Sequence, residues 1–599
     1  MQGYNYNNKN NQGCSMSLQM FSKKNSNKNQ QTQQSKETNP NKSTKKVEAV
    51  VSLRSTSKAK SWVASLPMTD MGETTRRLFG GLMTLNQESV PPQVRIEITE
   101  IILPYIKMAL ENLDRRFMSR SFPLPERSQK VFDLKKALLM ETAGSYQLAA
   151  LEMLTKESVS KKKLLLSIGR AITYMSHVLI NGYEVYSKTD ESLWHDIHHL
   201  YLLAFENEVH NIIVPSKDDI HGDEITIEDQ YKLVNLIALS APNTLRQSEI
   251  LKVRDFFRLC LDDVSIVTDP ATINSKYAHI ALMNTDEPAT LMPVSDLVSS
   301  ATSRIFDLSK VIHALDEFVS LSESTGLGTH QKWAMLTHSL AKRLAYVLTT
   351  IRNRRFKRFP REEKGLLAIR MVDVISIIRE NSSDSFMDQL NDDIGDDNTY
   401  EALAAGDTVS SPWSDIDMDA LSEDRDVKLH SWQFENSSSG GYGLRQVMAE
   451  SSTARVGELV AIQDPKDEAN LWQIAVVRWM DTFKDIGLRI GLEILSLHGM
   501  VVQVDKISNR EITQKLPLEG IMLPSVEGSR ETSNLIFPGF IFRVDDELTL
   551  TLGSRQQLVT IDAIDDTVGG FAYCSFDQRE EEDVPEGSME SFENIWEFL

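Results

Sequence analysis

The sequence predicts an α+β multidomain protein in which an N-terminal all-α domain precedes a small antiparallel β-barrel and a C-terminal β-rich region. Three observations carry that expectation. Apolar residues recur at helical spacing from about Trp62 to Arg352, they alternate at strand spacing from Trp432 onward, and 599 residues with 41% hydrophobic content suffice for several cores. The expected organisation is a cationic tail over 1–60, a helical domain over 61–350, a barrel over 351–510 interrupted by an acidic insert at 380–424, a β-rich region over 511–577 and an acidic tail over 578–599.

Taken in order, the first sixty residues are rich in Asn, Gln, Lys and Ser, with eleven basic residues against Glu37 and Glu48, a composition that cannot bury a core and reads as a disordered, solubilising tail. Pro91-Pro92 then opens a segment in which Val94, Ile98, Ile101, Ile102, Tyr105, Ile106 and Leu110 repeat at helical spacing. Further helices are expected over about 127–156, 161–187, 191–209, 226–240 and 246–261, followed by an irregular or β-patterned stretch over 263–295. These lengths suit a bundle or a solenoid, surfaces that serve protein binding, although no clean 34-residue repeat is present. A last helix carries Trp333, Leu336, Leu340, Leu344, Val347, Leu348 and Ile351 as one apolar stripe running toward Arg354 and Arg358.

Beyond Pro360, the run 365–375 is aliphatic and β-branched as a strand would be, with a helix not excluded. Trp432 and Phe434 alternate with Gln433 and Glu435 before a turn at Asn436, and strands are expected over 456–462, 472–480 and 488–495, with Lys484 to Gly487 as a hairpin turn. Further strands are expected at 520–524, 535–544, 547–552, 557–564 and 570–576, forming a second small barrel or sheet packed on the first. Phe592, Ile595, Trp596 and Leu599 would share one face of a short terminal helix.

Two short segments bear chemistry. Arg354-Arg355-Phe356-Lys357-Arg358 reads R-x-x-x-R, and Asn436-Ser437-Ser438-Ser439-Gly440-Gly441 reads N-x-S-x-x-G. Arginine offers a planar fork of donors that grips a guanine edge or a phosphate in two parallel bonds and stacks on a base, and Gly allows a ligand close to the backbone. In isolation the two segments read as a general anion patch and a flexible linker.

In this order, each beside β-patterned sequence, they resemble the two halves of a PilZ domain, the bacterial receptor module for cyclic di-GMP. The resemblance covers roughly residues 352–500. It implies that Arg354 and Arg358 contact guanine and phosphate, that Asn436, Ser438 and Gly441 hold the opposite side, and that the ligand is cyclic di-GMP with no further cofactor. The part of Arg355 and Arg361 is open. One departure is large: Arg358 and Asn436 lie 436 − 358 = 78 positions apart, and the excess is the insert. Its residues 380–424 hold fourteen acidic side chains and no Lys or Arg, two-thirds of the chain's net charge of −21. Such a segment is expected to be a disordered loop, either a plain spacer or a polyanion that competes for the arginines at low salt.

Other chemistries are set aside. Asp415, Asp417 and Asp419 begin a calcium-loop pattern, but Ala420 and Asp426 stand where Gly and Glu are needed. His195, His198 and His199 share a helical face without a completing carboxylate or Cys and read as structural. No HExxH, Walker loop or GxSxG elbow occurs, which argues against an enzyme. Three cysteines imply no disulfide framework and a cytoplasmic home, and no apolar run is long enough to span a bilayer. The expectation is a non-catalytic cytoplasmic receptor coupling cyclic di-GMP to an unidentified protein partner through the helical domain. The alternative is a scaffold or nucleic-acid-associated protein whose degenerate barrel binds no nucleotide.

Overall fold

The computed structural model describes residues 52–578 apart from 117–120, 156–159, 216–224, 270–272, 274, 297–301, 321–334, 352–355, 384–426, 447–451, 468–470, 484–486, 509–510, 513–517, 524–532, 540, 553–554 and 566–569. Residues 1–51 of the cationic tail, nearly all of the acidic insert and the terminal helix therefore lie outside the described residues; the last part of the expected tail is ordered instead, since Leu53 and Ala59 are buried in the helical core and a helix begins at Thr56.

Eight helices lead: α1 (Thr56–Ala64), α2 (Met71–Gln87), α3 (Pro92–Arg116), α4 (Glu126–Leu154), α5 (Lys161–Glu184), α6 (Leu193–Glu206), α7 (Ile227–Leu239) and α8 (Gln247–Leu259). Their starts follow local chemistry. Asp70 accepts from the Glu73 N–H and Thr226 from the Asp229 N–H, each satisfying a first-turn donor that has no partner inside the helix. Leu82, Ile102, Leu139, Ile168, Leu200 and Ile237 are buried in one continuous core. The β-patterned stretch beyond them forms a four-stranded antiparallel sheet in the order β1 (Ser265–Val267), β4 (Ser303–Asp307), β2 (Tyr277–Leu282), β3 (Thr290–Pro293). Helices α9 (Ser309–Ser320) and α10 (His338–Thr349) follow, and Phe306, Leu315 and Leu344 join the helical core. The stripe expected to run unbroken toward Arg354 is shorter than the sequence suggests. Thr337 caps the start of α10, and Thr350 turns extended at φ −110°, so Ile351 lies beyond the helix.

The first barrel closes from β6 (Lys364–Ile369), β9 (Leu459–Gln463), β10 (Trp472–Phe483), β11 (Gly487–Ser496), β8 (Gly441–Arg445) and β7 (Leu429–Ser438), with the short β5 (Phe359–Pro360) paired on β7. Leu367, Trp432, Phe434, Leu444, Val477 and Ile490 fill its interior. That interior also takes Phe122, Leu124, Phe132, Val185 and Tyr186 from the helical domain. Around this plug, Phe122 exchanges backbone hydrogen bonds with Ser452, and the Thr482 N–H donates to the Tyr186 carbonyl at 2.6 Å. Helical domain and barrel thus share a core.

The run expected as one strand over 365–375 divides. Strand β6 stops at Ile369, Arg370 adopts a left-handed φ of 83°, and α11 (Met371–Ser383) begins, so Glu380 belongs to a helix and not to a loop. Val374, Ile375, Ile377 and Ile378 lie between Leu459, Ile474 and Val476 of the first barrel and Ile521, Leu523, Ile536 and Phe571 of the next, a position that only a helix with a broad apolar face fills.

The second barrel is built from β12 (Met500–Ser508), β14 (Leu518–Leu523), β15 (Asn534–Pro538), β18 (Phe571–Gln578), β17 (Arg555–Asp565) and β16 (Glu547–Leu552), with β13 (Glu511–Ile512) appended. Strand β12 pairs with β14 and β16, which moves the boundary between the β domains from the expected residue 510 back to the Leu497–Gly499 link. Strand β15 ends at Pro538, short of the expected Val544. Numbered by chain order within each barrel, both rings read 1-4-5-6-3-2, the same winding. A Cβ at Gly499 would lie 2.3 Å from Ile474 Cδ1, so the link is tightly packed. Gly499→Leu is expected to lower stability by about 2 kcal/mol through overpacking, read as a shifted urea midpoint with unchanged slope.

Candidate functional site

The second motif sits on a hairpin. Strands β7 and β8 join through a two-residue turn, Ser439-Gly440, because Ser438 pairs with Gly441. Glu435 is the extra residue of a bulge between Phe434 and Asn436, and this bulge sets Asn436 opposite Gly443. A Cβ at Gly443 would meet the Asn436 side chain at 2.7 Å, so the missing side chain is what makes room for the amide. The Ser438 hydroxyl donates to the Gly441 carbonyl at 3.2 Å, and the Ile494 N–H donates to the Gly440 carbonyl at 3.1 Å, fastening the turn to β11. Gly441 is needed for close backbone approach, but to the neighbouring strand: a Cβ there would lie 1.9 Å from the Leu492 carbonyl oxygen.

The first motif arrives alongside. Arg354 lies outside the described residues. Phe359 pairs with Ser437 and Pro360 with Asn436, and continuing that register sets the exposed Arg358 level with Ser438. Arg358, Asn436, Ser438 and Gly441 are therefore brought to one corner of the barrel. Phe356 reaches the turn itself, since a Cβ at Gly440 would lie 2.9 Å from its Cε2.

Arg361 roots this segment. Its guanidinium donates two parallel hydrogen bonds to Asp464, each 2.7 Å, stacks 4.4 Å from the Phe434 ring centroid, and its backbone N–H donates to the Glu435 carbonyl at 3.0 Å. Both side chains are buried, at 5% and 10% exposure. The Tyr442 hydroxyl lies within reach of Asp464 (3.1 Å) and Gln473 (2.9 Å). Burial pushes the Asp464 carboxyl up, but the Arg361 hydrogen bonds and the Lys466 backbone N–H outweigh it and leave it below its ordinary value. Burial and the adjacent Asp464 charge push the Tyr442 phenol up to about 12.

The outer wall beside the hairpin continues the site. Gly443 pairs with Gly491, which pairs with Trp479, and a Cβ at Gly491 would lie 1.8 Å from Trp479 Nε1. Four adjacent strands thus present Asn436, two glycines and a half-buried indole in one row, flanked by the Arg489–Glu435 pair at 2.6 Å. Isolated glycines inside strands were the available signal for this row. Arg361's partner, 103 residues away, gave none.

Of the three histidines on the expected face, only His198 is buried; His195 and His199 are exposed. His198 is buried between the Glu287 carbonyl and the Tyr231 hydroxyl, 2.8 Å from each, and burial lowers its pKa to about 4. Among the described residues no helix is long and apolar enough to cross a membrane.

Residues 57–271 match the family model for the N-terminal domain of the cyclic-di-GMP receptor FimW, and residues 379–500 match the model for that receptor's middle PilZ domain. The second match contains Asn436, Ser438 and Gly441 and begins after the arginine segment. Over 587 residues the chain is 23% identical to the cyclic-di-GMP receptor FimW of Pseudomonas aeruginosa, an alignment spanning 90% of this chain and 95% of that protein. No solved structure matches.

Proposed function

We propose, from the premise that this chain belongs to the PilZ family, that it is a non-catalytic receptor for cyclic di-GMP acting in the cytoplasm. The single observation that carries the reading is the pairing of β5 with β7, which sets Phe359, the residue after Arg358, against Ser437 and Pro360 against Asn436. On this reading Arg354 and Arg358 grip a guanine edge and a phosphate, while Asn436 and Ser438 bond the opposite side. Gly441 keeps the hairpin close enough to β11 for that side to hold its shape.

Occupancy of the site would act on a protein partner through the helical domain. The joint that supports this coupling is β10, which carries Trp479 beside the ligand row and, three residues on, Thr482 bonded to Tyr186. The Asp481 carboxylate accepts from Asn243 of the same domain at 3.4 Å. A nucleotide that shifted β10 would have to shift that contact as well, which is coupling by differential contact.

Calorimetry with cyclic di-GMP tests the reading. The parent should bind, and the Arg354→Ala/Arg358→Ala double variant should bind at least about thirtyfold more weakly, since each bidentate arginine is worth roughly 1–3 kcal/mol. No heat from either protein would favour the scaffold, and RNA binding with a steep salt slope would favour a nucleic-acid partner.

A further inference from the structure

We propose that Phe356 is a guanine-stacking residue of the nucleotide site, seated in place by Gly440; this rests on the receptor reading above. Three observations meet at this ring. It rests on the β7–β8 turn so closely that a Cβ at Gly440 would come within 2.9 Å of Cε2 and 3.0 Å of Cδ2, so one part of the ring is spoken for by the protein. The residue is nevertheless 50% exposed, which leaves ring surface open to solvent. It also lies three residues before Phe359, which pairs with Ser437, and inside a run in which aromatic rings are interspersed among cations: Arg355, Phe356, Lys357, Arg358, Phe359.

A half-exposed ring on a fastened turn has a use when the ligand is a purine. Every base has a π-face, and aromatic side chains interleaved with cations bind nucleotides by stacking the base while the cations neutralise the phosphate. The turn beneath is held by the Ile494 N–H on the Gly440 carbonyl, and the chain beyond is held by the β5–β7 pairing and by Arg361. The ring is therefore offered on a support fixed at both sides, which reduces the ordering cost of binding. Phe359 differs from it in having the Lys357 ammonium 5.6 Å over its ring and, among the described residues, no turn glycine packed against it in the same way. Gly440, which stands at an unspecified position of the N-x-S-x-x-G pattern, acquires a reason: any larger residue would lift the ring off the turn.

The experiment is calorimetry of the full chain with cyclic di-GMP, comparing the parent with Phe356→Leu and Phe356→Tyr, alongside thermal unfolding of each without nucleotide. Phe356→Leu keeps the apolar contact on Gly440 but has no π-face, and is expected to bind about tenfold more weakly. Phe356→Tyr keeps the face and is expected to stay within about twofold of the parent. The unfolding midpoints should coincide, and Gly440→Val should reproduce the loss seen with leucine. Parent-like affinity of Phe356→Leu overturns the proposal, as does an equal loss in the leucine and tyrosine variants. A parent that binds no cyclic di-GMP sinks the receptor reading and this one with it, an outcome distinct from a binding parent with an indifferent leucine variant.

Discussion

Arg361→Ala should lower the free energy of unfolding by about 3–5 kcal/mol, because it leaves Asp464 as a buried carboxylate without its counterion. The residue joins three things that otherwise have no common tie: the guanidinium closes on Asp464 with two 2.7 Å bonds, it covers the Phe434 ring, and its backbone fixes the approach of the arginine segment to β7. Replacing it removes the pairing partner while the site stays closed, whereas the double change Arg361→Met/Asp464→Leu should recover much of the loss, since a well-packed apolar pair is often as stable as the ion pair it replaces. The pH dependence has a defined sign. The folded-state pKa of Asp464 is depressed, so its contribution is present above the unfolded value of about 3.9 and fades as pH falls through the lower folded value. The stability gap between parent and Arg361→Ala should be flat from about pH 6 to 8 and narrow below about pH 4, measured by urea unfolding across that range. A gap under about 1 kcal/mol at pH 7 would mean that the pair contributes no more than an exposed one.

Phe122→Ala should cost about 3–5 kcal/mol as well, the usual range for truncating a buried phenylalanine. Its consequence differs. Phe122 comes from the segment between α3 and α4 yet has 0% exposure inside the first barrel's core, with its ring edge-on to Tyr186 at 5.2 Å and covered by the Arg455 guanidinium at 5.4 Å. The cavity left by alanine opens at the junction of two domains rather than inside one. Unfolding followed by Trp fluorescence and by helical circular dichroism should therefore coincide in the parent and separate in the variant. Two coincident transitions, shifted by less than about 1 kcal/mol, would show that the plug is not what holds helical domain and barrel together.

The parts of this protein that the sequence disclosed are those where local pattern and final environment agree. Leu488, Ile490 and Leu492 alternate and do face a core; the helices from α4 to α8 fall within a few residues of their expected bounds because caps such as Thr226 mark them. Asn436 and Arg358 were singled out by residue type and order, and the structure sets the residues after Arg358, Phe359 and Pro360, against Ser437 and Asn436. What escaped depends on long-range partners. The aliphatic run after Gly365 has the composition of a strand throughout, and only the presence of a second barrel on its far side makes a helix of residues 371–383. The Met500–Ser508 strand was hidden because its residues serve two cores, with Val502 and Val504 inside the second barrel while Val501 packs at the seam between barrels. Arg361 looked like one more surface cation until Asp464 stood opposite it.

The packed seam between the barrels has a mechanical meaning. Only Leu497, His498 and Gly499 separate β11 from β12, and the helix wedged beside them touches both rings through aliphatic side chains. A tether of three residues and an aliphatic wedge both resist hinge motion between the two rings. A tilt of the first ring would therefore carry the second along as a stiff outrigger, and a small displacement near Ser438 would be enlarged by leverage at the far rim.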